Sequence, residues 1–185
     1  DDCTPVFNAW RTAGKLTGKL VWKRIELSMQ KGEVGLARYL RRYLPSSEKA
    51  WFDQWLRIHN HPEKLVKRAK LQGPDRLRKL ILTHGIKRLA RKNVTRAISA
   101  WNRLQQDNNF PDRLRRQAER AIALRMIHSR HKQGLEFLDK IRPHASDTML
   151  HEKRIRTALS GQQWKLVNKW IKQLPQDLQA SDEWR

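Results

Sequence analysis

Residues Gly35–Trp55 read GLARYLRRYLPSSEKAWFDQW, and their reading decides the fold. Leu36, Leu40, Tyr43 and Leu44 recur at the i, i+4, i+7, i+8 spacing of an apolar helical stripe, while Arg38, Arg41 and Arg42 point elsewhere. Leu44-Pro45 ends that helix, because the residue before a proline is pushed out of the α region. Ser46 and Ser47 are expected to cap a second helix, with Trp51, Trp55 and Ile58 as its buried stripe. The unit is therefore a helix, a Leu-Pro stop and a helix anchored by Trp.

Looser copies of that unit run to the C-terminus. Thr17 opens a helix carrying Val21, Ile25 and Met29 that ends at Gly32. An earlier short helix is expected around Val6, Phe7 and Trp10, ending near Gly14, and another over about Glu63 to Lys70. Gly73-Pro74-Asp75 is a turn. After it, Leu77, Leu80, Ile81 and His84 share a face, continued by Leu89, and Asn93 separates this helix from one bearing Val94, Ala97, Ile98, Trp101 and Leu104. Pro111 fits the first turn of a helix with Leu114, Ala118, Ala121 and Ile122. Leu135, Leu138 and Ile141 precede the Arg142-Pro143 stop. Ser146 is expected to cap a helix with Met149, Ile155 and Leu159, followed by Trp164, Val167, Ile171 and Leu174 before Pro175. Ser181 to Arg185 reads as the opening of a further helix.

No stretch alternates with the period of a strand. The fold class is all-α, about ten or eleven short helices in antiparallel pairs. Stacked pairs of this kind build an α-superhelix, part of a ring-like solenoid with a concave face, and residues 1–185 are expected to form a single segment of it.

Forty Lys and Arg against eighteen Asp and Glu give a formal charge of +22. That field attracts polyanions such as nucleic acid, anionic headgroups and carboxylate-bearing glycan, although net charge alone names no partner. The basic faces are Arg38/Arg41/Arg42, Lys64/Lys67/Arg68/Lys70, Lys87/Arg88/Arg91/Lys92 and Arg113/Arg115/Arg116. Of these, Arg38, Arg41, Arg42, Arg88 and Arg91 are the candidate polyanion-binding residues. No apolar run reaches the roughly 18 residues of a membrane span. The chain starts at Asp1 without an initiator Met, as a processed form or an excised piece would. Cys3, the single cysteine, is either a buried thiol or paired with a residue outside the chain.

Chemistry-bearing constellations are scarce. His128 and His131 have helical spacing for a shared metal but no supporting carboxylate, and no metal or cofactor is expected. No pair of acids stands out for glycosidic acid/base work, and there is no glycine-rich phosphate loop. His84 reads as a hydrogen-bonded core histidine. Most of the eight Trp sit on apolar stripes and read as core, with Trp22 and Trp170 off the main stripes and expected to be exposed or to lie between helices.

In order along the chain, CTPVFNAW (Cys3–Trp10), GEVGLARYLRRYLP (Gly32–Pro45), HGIKRLARKNVTRAISAW (His84–Trp101), the Trp164–Pro175 helix and the terminal DEWR resemble the superhelical (U-type) region of bacterial soluble lytic murein transglycosylases. The resemblance implies a periplasmic, exported cell-wall enzyme that cleaves the MurNAc–GlcNAc bond of peptidoglycan to a 1,6-anhydromuramyl end. Its catalytic glutamate is followed by serine. No Glu-Ser occurs in this chain, so the lysozyme-like catalytic domain is expected beyond Arg185. The resemblance also implies a disulfide from Cys3 to an upstream cysteine, and peptidoglycan glycan strands as partner. The expected role is a non-catalytic scaffold that binds and orients glycan. The alternatives are a basic helical-repeat nucleic-acid binder and a pure protein-interaction scaffold. For nucleic acid, no base-reading position recurs, so only non-specific binding is expected.

Overall fold

Thr17 begins the first long helix as the residues around it dictate. Its side-chain oxygen accepts the Leu20 amide, and Gly32 closes the helix at φ 87°, a left-handed conformation that a Cβ would disfavour. This is α1, Gly18–Lys31, and Val21, Ile25 and Met29 are its buried stripe, as the periodicity predicts. The computed structural model describes Pro5, Ala9, Thr12, Ala13 and residues 17–66 and 71–180. The expected first helix around Val6, Phe7 and Trp10, Cys3, Lys67, Arg68, Lys70 and the Ser181–Arg185 opening lie outside the described residues.

The chain divides into two compact units, Asp1–Arg57 with Leu71–Gly73, and Ile58–Lys70 with Pro74–Arg185. In the first, α2 (Val34–Leu40) packs on α1 and passes into a 3-10 turn, Arg41–Tyr43. Leu44 is extended at ψ 146°, as the following proline requires, and α3 (Ser46–Asn60) begins at once. The Pro45 carbonyl accepts the Lys49 amide, so Ser46 is already inside the first turn and is not the cap.

The apolar stripe across this junction keeps Leu40, Leu44, Trp55 and Ile58 as expected, but at two positions the buried residue is the next one along the chain. Ala37, Leu40 and Leu44 are buried, whereas Leu36 is 38% exposed. In α3, Phe52, Trp55 and Ile58 are buried and Trp51 is only partly so. Small Ala37 lets α2 lie close to α1, and Phe52 takes the core position that Trp51 leaves. Trp51 instead faces Trp22, ring centroids 6.4 Å apart, and Trp22 Nε1–H donates to Glu48 Oε2 at 2.5 Å. Gly73 closes over the same ring at φ 103°, where a Cβ would lie 3.1 Å from Trp51 Cδ2.

The second unit is built around α4, Asp75–Lys92. Leu77, Leu80, Ile81, Leu82, Thr83, Gly85, Ile86, Leu89 and Ala90 are all buried, so its apolar surface extends well beyond one stripe. A helix enclosed this way is a central helix. A 3-10 turn (Pro62–Val66), α5 (Val94–Asp107) and α6 (Asp112–His128) pack against it. Asn93 ends α4 in extended conformation and caps α5, its side-chain oxygen accepting the Arg96 amide at 2.9 Å. Trp101 is buried on α5 with Phe110, centroids 4.9 Å apart.

Next come α7 (Gly134–Lys140), α8 (Thr148–Ser160), α9 (Trp164–Ile171) and a single turn, α10 (Gln176–Gln179). Their core joins Ala123 with Leu138, Ile141, Leu150, Ile155, Ala158, Val167, Trp170 and Leu174. Three expectations fail here. The cap of α8 is Asp147 and not Ser146, and Met149 and Leu159 are exposed while Leu150, Ile155 and Ala158 are buried. Trp164, expected on the apolar stripe, is 60% exposed, whereas Trp170, expected to be exposed or to lie between helices, is fully buried in this core. The Trp170 indole N–H donates to Asp139 Oδ1, and the buried Arg154 guanidinium lies 5.2 Å over its ring. A polar partner for the indole makes the buried position available. No strand is present among the described residues, and none of their helices is long and apolar enough to cross a membrane.

Candidate polyanion-binding site

The five arginines singled out from the sequence fall into different environments. In the first unit, Arg38 is exposed on α2. Arg41 forms a two-pronged pair with Asp53, Nε to Oδ1 at 2.7 Å and Nη2 to Oδ2 at 2.6 Å, which raises its pKa further and neutralises much of its charge. The Arg42 guanidinium lies 4.0 Å over the Tyr39 ring, and Tyr39 and Tyr43 join hydroxyls at 3.0 Å. Arg38 and Arg42 thus keep their charge toward solvent, and Arg41 stitches the 3-10 turn to α3.

In the second unit, Arg88 and Arg91 separate. Arg88 Nε–H donates to the His59 carbonyl at 2.6 Å, a structural tie between α4 and the end of α3. Arg91 lines a cleft of about 610 Å³ between α4 and α6. Lys87 enters the cleft one turn earlier on α4, and α6 contributes Gln117, Arg120, Arg125 and His128. Ala121 and Leu124 lie between them as an apolar floor. Arg125 Nη2 donates to the Arg91 carbonyl at 3.3 Å, closing one end.

The electrostatics are one-sided. No carboxylate lines this cleft, and among the described residues Lys87, Arg91, Arg125 and His128 make no ion pair. The Lys87 pKa is lowered, first by burial and then by repulsion from Arg91 and Arg120. Arg120 is the exception, its Nε–H donating to Asp147 Oδ2 at 2.7 Å. Asp147 therefore both caps α8 and fixes Arg120. Beyond it, Gln117 and Arg120 also border a second recess of about 380 Å³ that includes Arg113, Arg116, Arg142 and Glu119. Burial raises the Glu119 pKa although Arg115 and Arg116 oppose it.

Sequence reasoning found Arg91 and missed the α6 wall. The signal was present: Gln117, Arg120, Leu124, Arg125 and His128 follow i, i+3, i+7, i+8, i+11, a second helical face beside the apolar one. His131, the possible metal partner of His128, is occupied otherwise. Its Nδ1 accepts the Gln133 amide and its Nε2 faces Thr95 Oγ1 at 3.2 Å. His84, read as a hydrogen-bonded core histidine, is partly buried with its Nε2 3.0 Å from His59 Nδ1.

No family model matches the chain. A soluble lytic murein transglycosylase of Escherichia coli strain K12 is 23% identical over 184 residues, 99% of this chain and 28% of that protein. The protein of the same name in Salmonella typhimurium is 26% identical over 190 residues, with the same coverage of 99% and 28%. Among solved structures, an inactive variant of the lytic transglycosylase Slt from Pseudomonas aeruginosa superposes with a TM-score of 0.83 at 25% identity, over 98% of this chain and 30% of that one. The 70-kDa soluble lytic transglycosylase of Escherichia coli superposes with a TM-score of 0.78 at 22% identity, over the same 98% and 30%, a likeness of fold. The chain spans less than a third of the length of each of these relatives. In sequence and in its all-α fold, this chain is similar along nearly its whole length to one helical region of the soluble lytic murein transglycosylases.

Proposed function

We propose that the chain is a non-catalytic superhelical scaffold of a peptidoglycan lytic transglycosylase, one that retains and orients glycan strands in the bacterial periplasm. On this reading residues 1–185 act as one scaffold segment, and a lysozyme-like domain of the same protein performs the cleavage. Its product is the 1,6-anhydromuropeptide of cell-wall turnover.

One observation carries the proposal: a chain similar along 99% of its length to murein-acting enzymes presents a cationic cleft in which, among the described residues, only Arg120 has a carboxylate partner. Peptidoglycan stems supply the complementary carboxylates. A close pair of opposite charges is worth about 1 kcal/mol in water and about 4 kcal/mol at an effective dielectric near 20. Retention therefore takes several charges together and weakens with salt.

The test is co-sedimentation with purified sacculi at about 0.05 and 0.5 M salt, with muropeptide release followed in parallel. The expected result is salt-sensitive retention and no anhydromuropeptide. Failure to sediment at either salt would remove the scaffold reading. Equally tight binding to DNA with a steep salt slope would assign the basic faces to nucleic acid instead.

A further inference from the structure

We infer that the cleft between α4 and α6 is a carboxylate-recognition subsite, in which Lys87, Arg91, Arg120 and Arg125 hold the acidic end of a short peptide borne by the glycan. The inference rests on the scaffold reading and adds where, and by which chemistry, the strand is gripped.

Four observations converge on it. Cations reach the cleft from two helices that pack side by side: Lys87 and Arg91 from α4, and Arg120 and Arg125 from α6, beside His128. Ion pairs occur along much of the second unit, yet Lys87, Arg91, Arg125 and His128 have none among the described residues. The cleft is thus not a solvated face whose charges cancel locally. Lys87 sits where burial and its cationic neighbours disfavour its own charge, and an incoming anion removes that penalty. The floor is apolar, formed by Ala121 and Leu124.

That floor and the size of the cleft choose between anions. A volume of about 610 Å³ admits a few peptide residues. The apolar floor suits short aliphatic side chains between charged groups, which a phosphodiester chain does not offer. No Phe, Tyr or Trp lines the cleft, so single-stranded bases would meet only the small His128 ring as a stacking partner. Arginine's planar donor fork matches a carboxylate in two-pronged geometry. Gln117 and Arg120 lead on into the neighbouring recess, where Arg113, Arg116 and Arg142 outnumber Glu119 and Asp147, so a longer ligand meets a net basic lining.

The experiment uses the whole chain and a soluble disaccharide muropeptide with free stem carboxylates, at one fixed salt. Its amidated form and a single-stranded oligonucleotide are measured alongside. The variant is Arg91→Gln with Arg125→Gln. The charge-matched control is Lys153→Gln with Lys165→Gln, two exposed lysines outside the cleft. Circular dichroism and melting temperature verify that both variants fold. The expected result is at least a tenfold weaker Kd for the cleft variant, less than a twofold change for the control, and an equal loss when the carboxylates are amidated. The Lys87 Nζ resonance should shift on binding in the unaltered chain.

Equal losses in variant and control would overturn the subsite in favour of general charge. So would undiminished binding of the amidated ligand, or tighter binding of the oligonucleotide that the cleft substitutions abolish. Sacculus binding that survives in the cleft variant would sink the subsite and leave the scaffold standing. An unaltered chain that ignores sacculi altogether would sink the scaffold itself.

Discussion

His59 Nδ1 lies 3.0 Å from His84 Nε2, and the two rings stack with centroids 5.2 Å apart. One proton can sit between these nitrogens; two would place imidazolium rings face to face. Burial first, then His59, Lys87, Arg88 and Arg91, hold the His84 pKa down to about 3. A folded-state value below the ordinary 6.5 means that the unfolded chain takes up the proton first as pH falls. Stability should be full above about pH 6.5 and decline toward pH 3, by at most about 1.4 kcal/mol per pH unit from this group. His151, also lowered by burial, adds in the same direction. Urea midpoints at pH 7.5, 5.5 and 4.5 should fall in that order, and His84→Gln should flatten the trend. A pH-independent midpoint in the unaltered chain would contradict the pairing.

Gly85 is buried in the middle of α4, where a Cβ would stand 2.5 Å from both Ile58 Cγ2 and Leu65 Cδ1. Alanine should gain up to about 1 kcal/mol of helix propensity and lose about 1–3 kcal/mol to overpacking. Gly85→Ala is therefore expected to lower the melting temperature. Gly35→Ala, at an exposed site in α2 with open space around it, should raise or maintain it. The opposite ordering would mean that the α4 contact with Ile58 and Leu65 is not tight.

Asn93 holds two helices at one residue, ending α4 and capping α5. Asn93→Ala should cost about 1 kcal/mol, and Asn93→Asp should restore most of it, since its carboxylate also suits the positive helix start. Hydrogen exchange of the Arg96 amide reports the loss directly. Unchanged protection in the alanine variant would show that the cap carries nothing.

The two tryptophans of α9 should behave oppositely. Trp170→Ala opens a cavity under Arg154 and is expected to cost about 3–5 kcal/mol. Trp164→Ala, at a site 60% exposed, should stay within about 0.5 kcal/mol. Comparable losses at both positions would place Trp164 in a packed contact.

Much of this was readable along the chain. Thr17, Gly32, Pro45, Asn93, Pro143 and Pro175 punctuate helices through their own backbone chemistry, and periodicity located the apolar faces. The phase of those faces was harder. Leu36, Met149 and Leu159 satisfy a helical period as well as Ala37, Leu150 and Ala158 do, and at Leu36/Ala37 and Leu159/Ala158 hydrophobicity favours the larger side chain. The neighbouring helix chose the smaller residues where close approach required them.

What the sequence by itself determined was the all-α class, most helix boundaries, the excess of positive charge and the resemblance to a known family, because each rests on residues close in the chain or on their order along it. The tertiary structure alone decided which tryptophan is buried, that Arg88 ties down a carbonyl while Arg91 faces a cleft, and that Lys87 meets Arg120. Helices some thirty residues apart must pack before their basic faces share one cleft, and no local periodicity records that pairing.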